Sequence, residues 1–138
     1  MGRILAIDYG KKRTGLAVTD PLKIIANGLT TVETHKLVDF LQNYLQKELV
    51  DKIIVGLPRQ MNGQESDNMK NITPFVNRMR KLYPQLPIEF YDERFTSVLA
   101  HKAMLESGIG KKARQNKALV DEISATIILQ SYMESVNF

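Results

Sequence analysis

The chain has 138 residues, 43% hydrophobic and 25% charged, which is the balance of one ordinary globular domain and excludes a disordered chain. It has no cysteine, so a disulfide scaffold, a cysteine-bound zinc and a thiol nucleophile are excluded, and a reducing compartment fits. Nineteen Lys and Arg against fifteen Asp and Glu leave a net charge of +4, a mild excess that is compatible with nucleic acid without demanding it.

The opening apolar run, Ile4 to Ile7, is too short for a secretion signal, and no later stretch reaches membrane-spanning length. One cytoplasmic domain over residues 1–138 with no membrane partner is therefore expected. Arg3 to Asp8 reads as a strand. Tyr9 to Arg13 reads as a turn, and Thr14 to Thr19 as the returning strand of a hairpin. Ile24 to Val32 gives a third strand, with an irregularity expected at Asn27-Gly28. From His35 the period becomes helical: Leu37, Val38, Leu41, Tyr44, Leu45 and Leu49 share a face, with Thr34 as the N-cap.

Lys52 to Leu57 is a short buried strand stopped by Pro58, and the polar loop Arg59 to Gln64 follows. Met69, Ile72, Val76, Met79 and Tyr83 mark a second helix; Pro74 inside it implies either a kink or a later start. Pro87 to Tyr91 alternates as a last strand. Thr96 or Ser97 caps a third helix that Gly108 ends, and Leu119 to Val136 forms a long carboxyl-terminal helix. An antiparallel meander followed by alternating strands and helices predicts an α/β fold, a mixed five-stranded sheet with helices on both faces. That order is the ribonuclease H-like one.

Three acidic positions interrupt apolar elements: Asp8 closing the first strand, Asp92-Glu93 after the last, and Asp121-Glu122 in the last helix. Singly, each has an ordinary structural role: a turn cap, a surface ion pair, a helix-start charge. Together, a central first strand and a last helix crossing its carboxyl end would bring Asp8, the Asp92-Glu93 pair and Asp121 into one cluster. Such a cluster is costly unless a divalent cation neutralises it. Oxygen-only ligands point to Mg²⁺ or Mn²⁺, and two such ions about 3.5–4 Å apart would clamp the attacking and leaving oxygens in phosphodiester hydrolysis. His35 and His101 have no carboxylate or second histidine at ligand spacing and read as solvated helix residues.

Lys11-Lys12-Arg13 and the stretch Lys111 to Lys117 hold seven of the nineteen bases and no acid. One such run is commonly a solvated loop. Two, each beside a candidate carboxylate, favour a substrate-binding role for Lys11, Lys12, Arg13, Lys111, Lys112, Arg114 and Lys117, and Arg94 beside Glu93 joins them.

Five motifs follow one another at fitting separations: Asp8-Tyr9-Gly10 with Gly15-Leu16-Ala17-Val18, Ile53 to Pro58, Met61-Asn62-Gly63, Asp92 to Ser97, and Asp121 to Ala125. In these the chain resembles the YqgF family, the pre-16S rRNA nucleases also called RuvX or Holliday junction resolvase-like proteins, over about Arg3 to Tyr132. The resemblance implies an RNase H-like fold, a metal-dependent nuclease and a role in maturing the 5′ end of 16S rRNA during ribosome biogenesis in the bacterial cytoplasm. It places the family's first-strand acid on Asp8, its DER acid on Glu93 with Asp92 beside it, and its last-helix acid on Asp121. That makes Asp8, Glu93 and Asp121 the expected catalytic residues and Asp8, Asp92, Glu93 and Asp121 the expected metal ligands. After the Asn-Gly turn the chain departs from the family, with Gln64-Glu65-Ser66-Asp67 where a further glycine is common. Two other readings stand beside this one: a resolvase acting on branched DNA, and a non-catalytic nucleic-acid-binding factor. A sugar-kinase or actin-like ATPase is excluded because 138 residues cannot supply two domains around a nucleotide cleft.

Overall fold

Short apolar strands that alternate their side chains between two faces need a helical layer on each face, and this chain supplies both. The computed structural model describes residues 2–57, 68–93 and 117–136, with 117–120 described in backbone only. The strands are β1 (Arg3–Asp8), β2 (Arg13–Thr19), β3 (Ala26–Glu33), β4 (Val50–Leu57) and β5 (Ile88–Asp92). Among the described residues the α-helices are α1 (Leu37–Lys47), α2 (Met69–Leu82) and α3 (Lys117–Val136). The sheet runs β3-β2-β1-β4-β5. β2 is antiparallel to both its neighbours, while β4 lies parallel to β1 and β5. The expected mixed sheet and its central first strand are both present.

Alternation along the central strands divides the core in two. Leu5 and Ile7 of β1, with Ile53 and Val55 of β4, pack toward α1 and α2, meeting Leu37, Leu41, Ile72, Val76 and Met79. Ile4, Ala6 and Ile54 pack the other way, toward Ala125, Ile128, Leu129 and Tyr132 of α3. α3 is buried around most of its circumference, Ala125 to Leu129 being consecutive buried residues, which is why its sequence is apolar rather than amphipathic.

The irregularity expected near Gly28 is a bulge: Leu16 pairs with Thr30 and Ala17 with Gly28, leaving Leu29 as the extra residue. β3 starts at Ala26, not Ile24. Asp20 holds the preceding turn by accepting the N–H groups of Leu22, Ile24 and Ile25, and both isoleucines stay exposed. Thr34 is not the N-cap of α1. It opens a 3-10 turn, Thr34–Lys36, and its hydroxyl donates to the Gly10 carbonyl at 2.7 Å. α2 runs through Pro74, which excludes the later start. The expected helix from Thr96 to Gly108 lies outside the described residues, as do the loop Arg59 to Gln64, His101 and residues 111–116. Among the described residues no helix is long and apolar enough to cross a membrane.

Candidate active site

The period of two that buries Ile4 and Ala6 against α3 places Asp8, the next residue of that parity, on the same face at the carboxyl end of the central strand. β4 and β5 apply the same rule. Tyr91 packs on the α3 side, and Glu93, two residues on, returns to that side above Gly56. A Cβ at Gly56 would stand 2.8 Å from Glu93 Oε1 and 2.8 Å from Ile128 Cδ1. Asp92 has the opposite parity, shared with Phe90, which packs against the α1–α2 core.

Two more glycines bring α3 down onto the sheet. Gly15, paired across the ladder with Asp8, faces the Asp121 backbone, and any Cβ there would run into the Asp121 carbonyl oxygen. A Cβ at Gly28 would collide with the Glu122 carboxylate. The missing side chains on β2 and β3 thus allow the first turns of α3 to lie directly on the strands and carry Asp121 to the end of β1.

The carboxyl groups that meet there relieve their repulsion in two ways. Asp8 and Glu93 share a side-chain hydrogen bond, which two carboxyls form only when one keeps its proton. Burial, then the charges of Glu93 and Asp121, push the Asp8 carboxyl up to about 7. Burial likewise raises Glu93, with the Asp92 charge adding to the effect and the hydrogen bond from Asp8 opposing it. Asp121 takes a guanidinium instead: Arg13 Nε donates to its Oδ2 at 3.0 Å. One proton and one arginine therefore offset two of the three negative charges.

Asp8 and Glu93 touch, and Asp121 acts on Asp8 through its charge while turned to Arg13. Among the described residues no three acidic or histidine side chains stand close enough together to hold an ion as they are placed. Lys11 and Lys12 are exposed in the turn that follows Asp8. Arg94, Lys111, Lys112 and Arg114 lie outside the described residues, and Lys117 opens α3, described in backbone only. His35 is exposed beside Glu33.

Several groups that build the site carry no obvious chemistry in sequence. Asn68, just before α2, donates its side-chain amide to the Tyr9 carbonyl at 2.9 Å. Thr34 donates its hydroxyl to the Gly10 carbonyl of the same turn, and its own N–H donates to the Lys12 carbonyl at 2.9 Å. The turn after Asp8 is thus pinned from both flanks. A polar residue at a helix start is the available signal for Asn68. The pairing of Arg13 with Asp121 spans 108 residues and has no local signal at all.

The family described as RuvX, Holliday junction resolvase, matches residues 2–135. The chain is 72% identical to a relative from Phocaeicola vulgatus over 138 residues, covering 100% of this chain and 99% of that protein. It is 66% identical to one from Bacteroides thetaiotaomicron, covering 100% of both. Both are provisionally named pre-16S rRNA nucleases. In structure the chain is similar to T. thermophilus RuvC in complex with Holliday junction substrate, with a TM-score of 0.60 at 14% identity, covering 99% of this chain and 98% of that one. It is also similar to a Fowlpox virus resolvase bound to junction DNA, with a TM-score of 0.59 at 16% identity and 99% of each chain covered. These likenesses identify the fold as ribonuclease H-like.

Proposed function

The chain belongs to the RuvX family, and on that premise we propose that it is a nuclease hydrolysing phosphodiester bonds with a divalent cation, acting on the 5′ end of pre-16S rRNA in the bacterial cytoplasm. The observation that carries this reading is the meeting of Asp8, at the end of β1, and Glu93, just past β5, with Asp121 within electrostatic reach, on one face of the sheet. Nothing in the packing of the fold requires three acids there, and the raised pKa values of Asp8 and Glu93 measure what the arrangement costs.

The donor set fits a hard cation. Asp8, Glu93 and Asp121 offer oxygen only, which suits Mg²⁺ or Mn²⁺. The elevated Asp8 pKa is a charge deficit that such an ion would fill. Asp8 and Glu93 already meet, and Asp121 would have to leave Arg13 to complete the set. Asp92 contributes charge from the opposite side of β5. When bound, the ion would polarise the phosphate and lower the pKa of an attacking water.

The remaining work falls to the chain's own residues. Lys11 and Lys12, in the turn pinned by Asn68 and Thr34, hold backbone phosphates as point charges. Arg13, once parted from Asp121, presents a planar fork that matches a phosphate. Arg94, Lys111, Lys112, Arg114 and Lys117 add cations near Glu93 and Asp121 in sequence.

The test is a cleavage assay in Mg²⁺ and in Mn²⁺, on a 16S precursor 5′ fragment and a four-way DNA junction in parallel. Cut precursor with intact junction is the expected result. A cut junction with intact RNA would make the chain a resolvase, and binding without cleavage of either would make it a non-catalytic factor.

A further inference from the structure

Asp8 and Tyr9 are neighbours that leave β1 on opposite sides. Asp8 faces α3, whereas the Tyr9 ring packs into the α1–α2 side, 5.2 Å centroid to centroid from Phe75. There the surface opens into two adjoining cavities, of about 420 and about 350 Å³, with Tyr9 and Asn71 lining both. Lys11 and Lys70 line the smaller and Arg78 the larger, where Asp39 is the one acid among the described residues.

Lys70, Pro74 and Arg78 stand at successive i, i+4 positions, so they form one row along α2. That row is about 12 Å long, room for more than one phosphate. Lys11, Lys70 and Arg78 are exposed, and none has an ion-pair partner among the described residues. In contrast, Arg3, Arg13, Lys23 and Lys52 are each paired with an acid. Three such cations against one acid, in a groove that begins one residue from Asp8, suit an anionic ligand that passes over the end of β1.

We infer that this groove between α1 and α2 is a second nucleic-acid contact, holding the phosphodiester backbone of the strand beyond the bond cleaved at Asp8. The inference rests on the nuclease reading and extends it to the face of the sheet opposite Asp8, Glu93 and Asp121. Lys70 and Arg78 bind phosphates there, beside an Asn71 amide whose Nδ2 donates to Asn68 Oδ1 at 3.1 Å. Such contacts set affinity and direction of the strand without reading bases.

The test is the double variant Lys70→Ala, Arg78→Ala of the full chain, titrated with labelled single-stranded RNA at several salt concentrations in EDTA. DNA of the same sequence is run alongside. Removing one cation that neutralises a phosphate should flatten the log–log salt slope by roughly 0.7. Removing two should flatten it by roughly 1.4, which at 0.1 M salt weakens binding about 25-fold, equally for all sequences. An equal weakening for RNA and DNA marks binding through phosphate alone; a greater weakening for RNA shows that the 2′-hydroxyl is held as well. Both support the groove. Wild-type binding with an unchanged slope in the variant overturns the groove and leaves the nuclease reading standing. No binding by the wild type to either strand overturns both. Because both side chains are exposed, with no ion-pair partner among the described residues, circular dichroism of the variant should match the wild type.

Discussion

Replacing Asp8 by asparagine should make the protein more stable, and increasingly so as pH rises. The Asp8 carboxyl, ordinarily at 3.8, is raised to about 7 by burial and by the charges of Glu93 and Asp121. Below pH 4 it is protonated whether the chain is folded or not, and it adds no pH dependence. Between those values the folded state holds a proton that the unfolded state has released, so stability falls as pH rises, and above 7 the whole cost is present. At 1.36 kcal/mol per unit, the full cost is at most about 4 kcal/mol. Roughly 2–3 kcal/mol of this should develop between pH 5 and pH 8. An asparagine is neutral throughout and can still donate to Glu93. For a domain of this length, 2–3 kcal/mol corresponds to roughly 7–10 °C in Tm. Urea denaturation of both proteins from pH 5 to pH 8, in EDTA, reads the difference directly. The variant should gain on the wild type steadily across that range. A stability gap that stays constant with pH would refute the argument, because it would mean Asp8 keeps an ordinary carboxylate pKa.

Mg²⁺ binding should displace the same proton: calorimetry in buffers of different ionisation enthalpy should show release of about one proton per ion below pH 7, falling toward none by pH 8.5. Arg13→Gln should tighten Mg²⁺ binding in the absence of nucleic acid by up to about fivefold, since breaking the half-exposed Arg13–Asp121 pair costs roughly 0.5–1 kcal/mol; an unchanged calorimetric Kd would show that Asp121 takes no part. Gly15→Ala should destabilise the protein by about 1–3 kcal/mol in urea, because its Cβ meets the backbone of α3 rather than a side chain that can turn away.

The strand order and the face on which each strand buries its side chains are legible in the sequence because both are written locally, in runs such as Ile4 to Ile7 and Ile53 to Val55 that alternate between the two cores. The three acids are visible for a related reason: each breaks an apolar element and so stands out against it. Thr34 misleads because a threonine before a helical period usually caps it, and only the fold reveals that its hydroxyl is already given to Gly10. Ile24 and Ile25 look like strand because they are β-branched, yet Asp20 gathers their N–H groups into a turn. The roles of Gly15 and Gly56 depend on what lies above them, α3 and Glu93, and a strand sequence contains no sign of that. The Arg13–Asp121 pair is of the same kind. A basic run beside an acid suggests a phosphate ligand, whereas the folded chain gives one of its cations to one of the acids.

Cleavage by the Asp8→Asn protein tests the three-carboxylate site most directly, because that variant should be the more stable protein at pH 8 even before metal is added, so that a loss of activity cannot be blamed on unfolding. Single-turnover cleavage of the 16S precursor fragment at saturating Mg²⁺ should fall by at least about 10³-fold relative to the wild type, an effect of roughly 4 kcal/mol on the barrier, while binding of the fragment is retained. Cleavage at the wild-type rate by Asp8→Asn would contradict the assignment of the reaction to Asp8, Glu93 and Asp121.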